Sequence, residues 1–374
     1  MSSTERRRAE LLKSLGRTGS ARLADLAVEL GVSIATVRRD VDALSRQGRL
    51  NRRHGSAELD LSPPSGTALA GAVGAMMASD NRYLDLIGQA ARREAERRNL
   101  RFLLERVETG AESREATARL VRAGCVGMMY SPQWRDDAEI DEPLPWLLDS
   151  PVPVVLGGRE VGPGHPLFVL DSVIADHAYG MRLAMDHLAG LGHRRIMISI
   201  HGQSTVARLI RRSFDGELAH RGLAALGEPF TTPRVIPGLD TATAFAPIVA
   251  GIVAAGATAI IVHTDVAADL LAHELRRSGV AVPQDCSVVG YDDIIAPAAD
   301  LALTTISPPK HQLGVEAVSL LMRRYLRARA GRDRPPVAHV RLLPELVVRR
   351  STARPPGRPS AHERIERTAC KRFP

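Results

Sequence analysis

From about residue 69 to 350, short runs of consecutive apolar residues alternate with longer stretches whose apolar and charged positions interleave at helical spacing. LAGAVGAMM precedes YLDLIGQAARREAERR, RFLLERV precedes ESREATARLVRAG, and CVGMMYS follows. The second half repeats the rhythm with VPVVLGG, HAYGMRLAMDHLAGLGH, RRIMISIHG, RRSFDGELAHRG, TAIIVHTD, ADLLAHELRRSG and CSVVGYDD. Strands of unbroken apolar residues are buried on both faces, and alternation with helices makes them parallel. There are too many such units for one compact sheet. The pattern therefore predicts an α/β body of two similar lobes, each a parallel sheet flanked by helices.

A different pattern occupies residues 1–58. In LADLAVELGVSIATVRRDVDALSRQGRL, Leu23, Leu26, Ala27 and Leu30 share one face of a helix that ends at Gly31, where a left-handed turn costs glycine nothing. Ser33 is a natural N-cap for a second helix that turns Val37, Val41 and Leu44 inward. Ser33, Ala35, Thr36, Arg38 and Arg39 then fall at its start or on its outer side, small and basic enough to meet base edges and phosphates in a major groove. Asp40 is expected to orient Arg38 or Arg39. The run RLNRRHGSAEL predicts a hairpin with Gly55 at its tip, a wing that carries Arg52, Arg53 and His54 to the DNA backbone.

Residues 59–68, LDLSPPSGTA, have no periodicity and read as a linker. Residues 69–352 form the two-lobed body, and 353–374, rich in proline and charge, read as a disordered basic tail. Charge follows these boundaries. Residues 1–60 hold 12 Lys or Arg against 8 Asp or Glu, residues 353–374 hold 6 against 2, and the stretch between is balanced at 32 each. A basic head on a neutral body suits a polyanion partner for the head and a sensing or assembly role for the body. The basic, polar opening ERRRAELLKS is unlike a secretion signal or a membrane span, so a cytoplasmic place without membrane association is expected. Cys125, Cys286 and Cys370 are too scattered for a disulfide framework or a zinc site, and neither metal nor cofactor is expected.

ELGVSIATVRRDVDAL followed by LNRRHGSA closely resembles the DeoR class of winged helix-turn-helix domains, over nearly all of residues 6–57. From about residue 150, VPVVLGGR, ADHAYGMRLAMDHLAGLGHRRI, TAIIVHTD, GVAVPQDCSVVGYDDIIAPAADLALTTISPP and LLPELVVRRS resemble the effector-binding core of the LacI/GalR family. That core shares its fold with periplasmic sugar-binding proteins. The resemblance implies two lobes joined by three crossing segments, with a ligand in the cleft at the carboxyl ends of the strands. It also implies that Asp292, first aspartate of GYDD, accepts hydrogen bonds from ligand hydroxyls or amines, and that Asp265 stands where some relatives touch ligand.

Two departures alter the expected ligand site. Where the family commonly has a ligand-binding arginine, this chain has Ile210, so either Arg208 or Arg211 replaces it or the contact is absent. VPVVLGG ends in Gly157 and Gly158 where relatives often carry aspartate, and Arg159 beside them would favour an anionic ligand. The expected function is transcriptional regulation, as a repressor: a homodimer binds a double-stranded operator and responds to a small, sugar-like effector. The alternatives are a ligand-binding protein without transcriptional switching and a solute-binding protein for transport. Catalysis is not expected. Asp292 and Asp293 are adjacent and so point apart, and no hydrolase, zinc-protease or nucleotide-binding motif accompanies them or His193, His201 and His263.

Overall fold

The computed structural model describes residues 7–8, 10–11, 14–15, 20–46, 50–53, 56–59, 71–79, 81–132, 134, 144–202, 204–236, 238–297 and 301–356. The head is built on α1 (Leu23–Glu29) and α2 (Ile34–Arg46), with strands β1 (Ser20–Arg22), β2 (Leu50–Arg53) and β3 (Ser56–Leu59). Gly31 takes the left-handed turn between the helices at φ 63°. The Ser33 Oγ accepts the Thr36 backbone N–H at 3.2 Å, so it caps α2 as its position predicts. Leu23, Leu26, Val37, Val41 and Leu44 form the core together with Leu11, Leu15 and Leu50. Strands β2 and β3 are antiparallel with Arg53 opposite Ser56, the hairpin that the wing requires. Strand β1 adds a third, outer member against β3, too short for an alternating pattern to show in sequence.

The body contains two sheets. The first lobe has β4 (Ala72–Met77), α3 (Arg82–Arg97), β5 (Arg101–Arg106), α4 (Gly110–Arg122), β6 (Cys125–Ser131), α5 (Pro145–Leu148), β7 (Val154–Gly157) and β8 (Asp171–Ala175). The second has α6 (His177–Leu191), β9 (Ile196–Ile200), α7 (Thr205–His220), β10 (Phe230–Thr231), α8 (Thr241–Ala255), β11 (Ala259–Val262), α9 (Asp265–Arg277), β12 (Ser287–Tyr291) and β13 (Thr304–Ser307). The chain then returns to the first lobe as α10 (Lys310–Arg329) and β14 (His339–Leu342), and ends on the second as β15 (Glu345–Val347).

Strand order is β14-β8-β7-β6-β4-β5 in the first sheet and β10-β9-β11-β12-β13-β15 in the second. Every pair is parallel except β13 with β15. Both lobes are thus doubly wound around the same reversal, at β4 beside β6 and at β9 beside β11. Such a switch point opens a crevice at the carboxyl ends of the strands. The central strands are buried along their whole length, which accounts for their unbroken apolar runs.

Three segments cross between lobes, as the family resemblance implies: Asp176 between β8 and α6, Pro308–Pro309 before α10, and Leu343–Pro344 between β14 and β15. Helix α10 lies on the first lobe's sheet, where Leu313, Ala317, Leu320 and Leu321 join its core. Arg324 of α10 anchors it through Nε and Nη2, which donate to the fully buried Asp171 carboxylate at 2.5 and 2.6 Å. Residues 353–356 do not yet belong to a tail. The Ala353 N–H donates to Ser287 Oγ at 3.0 Å and its carbonyl lies 2.9 Å from His193 Nε2, backbone bonds that composition cannot announce. The linker from residue 60, the hairpin tip 54–55 and the tail from 357 lie outside the described residues.

Candidate functional site

The loops at the carboxyl ends of both sheets face one another and enclose two adjoining cavities. The inner cavity, about 160 Å³, is walled by Tyr83, Trp134 and Arg159 from the first lobe and by His177, His201, His263 and Asp292 from the second. The outer, about 560 Å³, shares Tyr83, His201 and Asp292 and adds Arg82, Glu108, Arg234 and Asp265. Each wall residue follows a parallel strand. Tyr83 comes after β4, Trp134 after β6, Arg159 after β7, His201 after β9, His263 after β11 and Asp292 after β12.

Asp292 is 8 % exposed, and among the described residues no hydrogen bond reaches its carboxylate. Its backbone has φ 96°, a left-handed conformation that L residues adopt at a cost and that the surrounding loop must impose. Lys310 holds that loop from the lobe crossing, its Nζ donating to the Asp292 carbonyl and, at 3.2 Å, to that of Pro308. Burial pushes the Asp292 carboxyl up to about 7, and the neighbouring Asp265 pushes the same way, against Lys310 and Arg159. Asp265 is raised to about 6, again chiefly by burial, although the Thr305 hydroxyl donates to it at 2.6 Å and the Ile294 N–H at 2.7 Å. Gly290 makes room for it, since a Cβ there would lie 2.4 Å from Asp265 Oδ1.

Opposite Asp292, Arg159 is 7 % exposed. Its Nε donates to the Pro132 carbonyl at 2.7 Å and its Nη1 to that of Gly158 at 2.8 Å. Gly158 turns at φ 65°, so the glycine pair serves a tight turn that aims the next side chain into the cleft. Burial lowers Arg159 to about 10, still protonated at neutral pH. The same burial, with neighbouring cations, lowers His177 to about 4 and His263 to about 3, leaving both neutral. The Tyr83 hydroxyl and His263 Nδ1 are buried without a hydrogen-bond partner among the described residues. Buried polar groups are rarely left unpaired, so these two stand open to a polar partner, a water or a ligand. No group of His, Cys, Asp and Glu among the described residues could hold a metal ion.

Of the ligand candidates read from sequence, the structure brings Asp292 and Asp265 together in the cleft. It does not bring Arg208 or Arg211 there. Ile210 is fully buried in the second lobe's core, Arg208 is half-buried on α7 and is not among the described residues lining either cavity, and Arg211 is exposed and paired with Glu228. Tyr83, Trp134 and His177 carry no motif of their own in the sequence, and their place after the carboxyl ends of apolar strands is the signal that points to them.

In the head, Ser33, Ala35, Arg38 and Arg39 are exposed and Thr36 half-exposed, all at the start of α2 or on its outer side. Arg52 and Arg53 lie in β2, while His54 lies outside the described residues. Asp40 differs from expectation. It is 2 % exposed, faces inward beside Val37 and Val41, and accepts Arg7 Nε at 2.6 Å and Arg8 Nε at 2.9 Å. Adjacent helix positions point apart, so Asp40 cannot hold Arg39 and instead ties the first helical segment to α2.

A winged helix-turn-helix joined to a two-lobed body with a polar cleft defines a DNA-binding regulator of periplasmic-binding-protein-like build. A DeoR-like helix-turn-helix domain model matches residues 7–62, and a periplasmic binding protein-like domain model matches residues 185–352. The chain is 31% identical over 263 residues to the HTH-type transcriptional regulator CelR of Thermobifida fusca, covering 68% of this chain and 71% of that one. It is 28% identical over 367 residues to the regulator MalR of Streptomyces coelicolor, covering 90% and 98%. A solved CelR–cellobiose complex superposes with a TM-score of 0.61 at 25% identity, over 86% of this chain and 91% of that one. The chain belongs to the LacI/GalR family of HTH-type transcriptional regulators and carries a DeoR-type head.

Proposed function

We propose that the protein is a homodimeric repressor whose affinity for a double-stranded operator is switched by a small polar effector, sugar-like in its hydroxyl groups, bound between the lobes. One observation carries the reading: Asp292 and Arg159, from opposite lobes, line one cavity with the unpaired Tyr83 hydroxyl and His263 Nδ1. A ligand that bonds to both walls favours the closed arrangement of the lobes, and only such differential affinity can shift a conformational equilibrium. Asp292, Asp265 and Arg159 recognise the ligand. Ser33, Ala35, Thr36, Arg38 and Arg39 face the major groove, with Arg52, Arg53 and His54 on the wing against phosphates. Closure rotates the paired bodies and changes the spacing of the two heads. A single recognition helix reads too few bases for useful specificity, which is why a dimer is required.

One relative supports this chemistry, since CelR has been solved with cellobiose. The test is thermal stabilisation of the purified protein across sugars, sugar derivatives, nucleosides and polyols, followed by operator binding with each stabilising compound. A compound that stabilises the wild type, fails with Asp292→Ala and changes operator affinity supports the reading. Saturation with unchanged operator affinity rejects it.

A further inference from the structure

The cleft's charge arrangement narrows the effector further, on the footing of the role proposed above. Arg159 is more than nine-tenths buried, yet no carboxylate among the described residues forms an ion pair with it. Nε and Nη1 are spent on backbone carbonyls, and Nη2 makes no hydrogen bond among the described residues. Stability alone would not keep a buried guanidinium without an anion, because desolvating a charge is costly until a partner compensates it. On the facing wall Asp292 is also buried and unpaired, and the unpaired Tyr83 hydroxyl lies in the electrostatic field of both.

We infer that the inner cavity takes a polyhydroxy carboxylate, a sugar acid or a uronic-acid unit, whose carboxylate pairs with Arg159 and whose hydroxyls donate to Asp292. Each unpaired group then meets its complement in one small molecule. The Tyr83 hydroxyl donates to the carboxylate as a second hydrogen bond, and His263, neutral, serves a hydroxyl. A neutral sugar would satisfy Asp292 but leave the guanidinium without a directly bonded anion, with only the field of Asp292 across the cleft to offset its charge. A phosphate dianion would set two negative charges before a single guanidinium and beside Asp292. The carboxylate carries one negative charge, and its planar oxygens fit the geometry of a guanidinium edge.

The experiment is calorimetric titration of the full-length protein with D-glucuronate, D-galacturonate and D-gluconate, against D-glucose, D-galactose and glucose 6-phosphate. At least one acid is expected to bind at least about tenfold more tightly than its neutral parent, the scale of one charge-assisted hydrogen bond. Arg159→Gln is expected to abolish that preference, and Arg159→Lys, which keeps the charge, to restore part of it. Equal or tighter binding of a neutral parent, preference for the phosphate, no binding of any acid, or an undiminished preference in Arg159→Gln would overturn the inference. If neutral sugars bind through Asp292 and switch operator affinity, only the acid preference fails. If no compound alters operator affinity, the regulatory reading fails as well.

Discussion

His177 Nδ1 and the Tyr291 hydroxyl share a hydrogen bond of 2.6 Å at the wall of the cleft. His177 opens α6, the first residue after the chain crosses from the first lobe, and Tyr291 ends β12 beside Asp292. The bond therefore ties a crossing point to the Asp292 loop. Tyr291→Phe leaves the buried His177 nitrogen unpaired and is expected to cost about 1–3 kcal/mol in urea unfolding. Burial lowers His177 to about 4, so the imidazole stays neutral and the loss should be equal at pH 6 and pH 8. A loss that grows at the lower pH would mean that the ring charges there.

On the function proposed above, Asp292 sets ligand recognition against stability. Its folded carboxyl is raised from 3.8 to about 7, chiefly by burial, so the folded state holds a proton that the unfolded chain has released between those values. The contribution of this group is fully present below about pH 4 and is lost as pH rises through 7. Asp292→Asn cannot ionise. It should therefore match the wild type in melting temperature near pH 4 and exceed it at pH 8, a gain in stability of a few kcal/mol at most, while losing its response to effector. A melting difference that stays constant from pH 4 to pH 8 would show that Asp292 is not the group titrating.

The two lobes were legible because their strands are apolar along their whole length and each helix carries a clear stripe. The head was legible because capping at Ser33, the turn at Gly31 and the wing occur together in order. Asp292 and Asp265 were placed by the resemblance to the LacI/GalR family, which the GYDD and HTD runs carry. Partnerships between distant segments were not legible. Asp40 meets Arg7 and Arg8 across the head, Lys310 reaches back to the Asp292 loop, and Ala353 docks on β12 and His193. Such pairs depend on tertiary packing, which leaves no period in the chain.

Arg211 tests the reading of the missing family arginine. It is exposed on α7 and bonded to Glu228, remote from both cavities, so Arg211→Ala should leave effector affinity unchanged. The loss of one exposed ion pair should lower stability by less than about 1 kcal/mol. A large drop in effector affinity measured by titration would mean that the helix start rearranges to bring this arginine into the cleft.

Arg38 and Arg39 present charge on the exposed side of α2, so each should neutralise DNA phosphate or read a base edge. If either contacts phosphate alone, its change to alanine should weaken binding to specific and unrelated DNA alike and flatten the log-affinity against log-salt slope by about 1. If it reads a guanine, specific binding should fall selectively while the non-specific slope stays. Anisotropy titrations at several salt concentrations separate the two, and an unchanged affinity for both DNAs would remove that residue from the interface.

Asp40 lies on the opposite side of the same helix and controls it differently. Burial alone would raise its carboxyl, but the hydrogen bonds and charges of Arg7 and Arg8 outweigh that and hold it below the usual 3.8. A depressed folded pKa contributes stability above the unfolded value and loses it as pH falls through 3.8 and below. Asp40→Asn keeps the shape but removes the charge, so the first helical segment should detach from α2 more readily at neutral pH. Operator affinity should fall although Asp40 touches no DNA, because the recognition helix is then poorly supported. The head's hydrogen-exchange protection at pH 7 should drop in Asp40→Asn, while the body's protection stays unchanged. Equal protection in wild type and variant would show that Leu11 and Leu15 hold the segment without the ion pair.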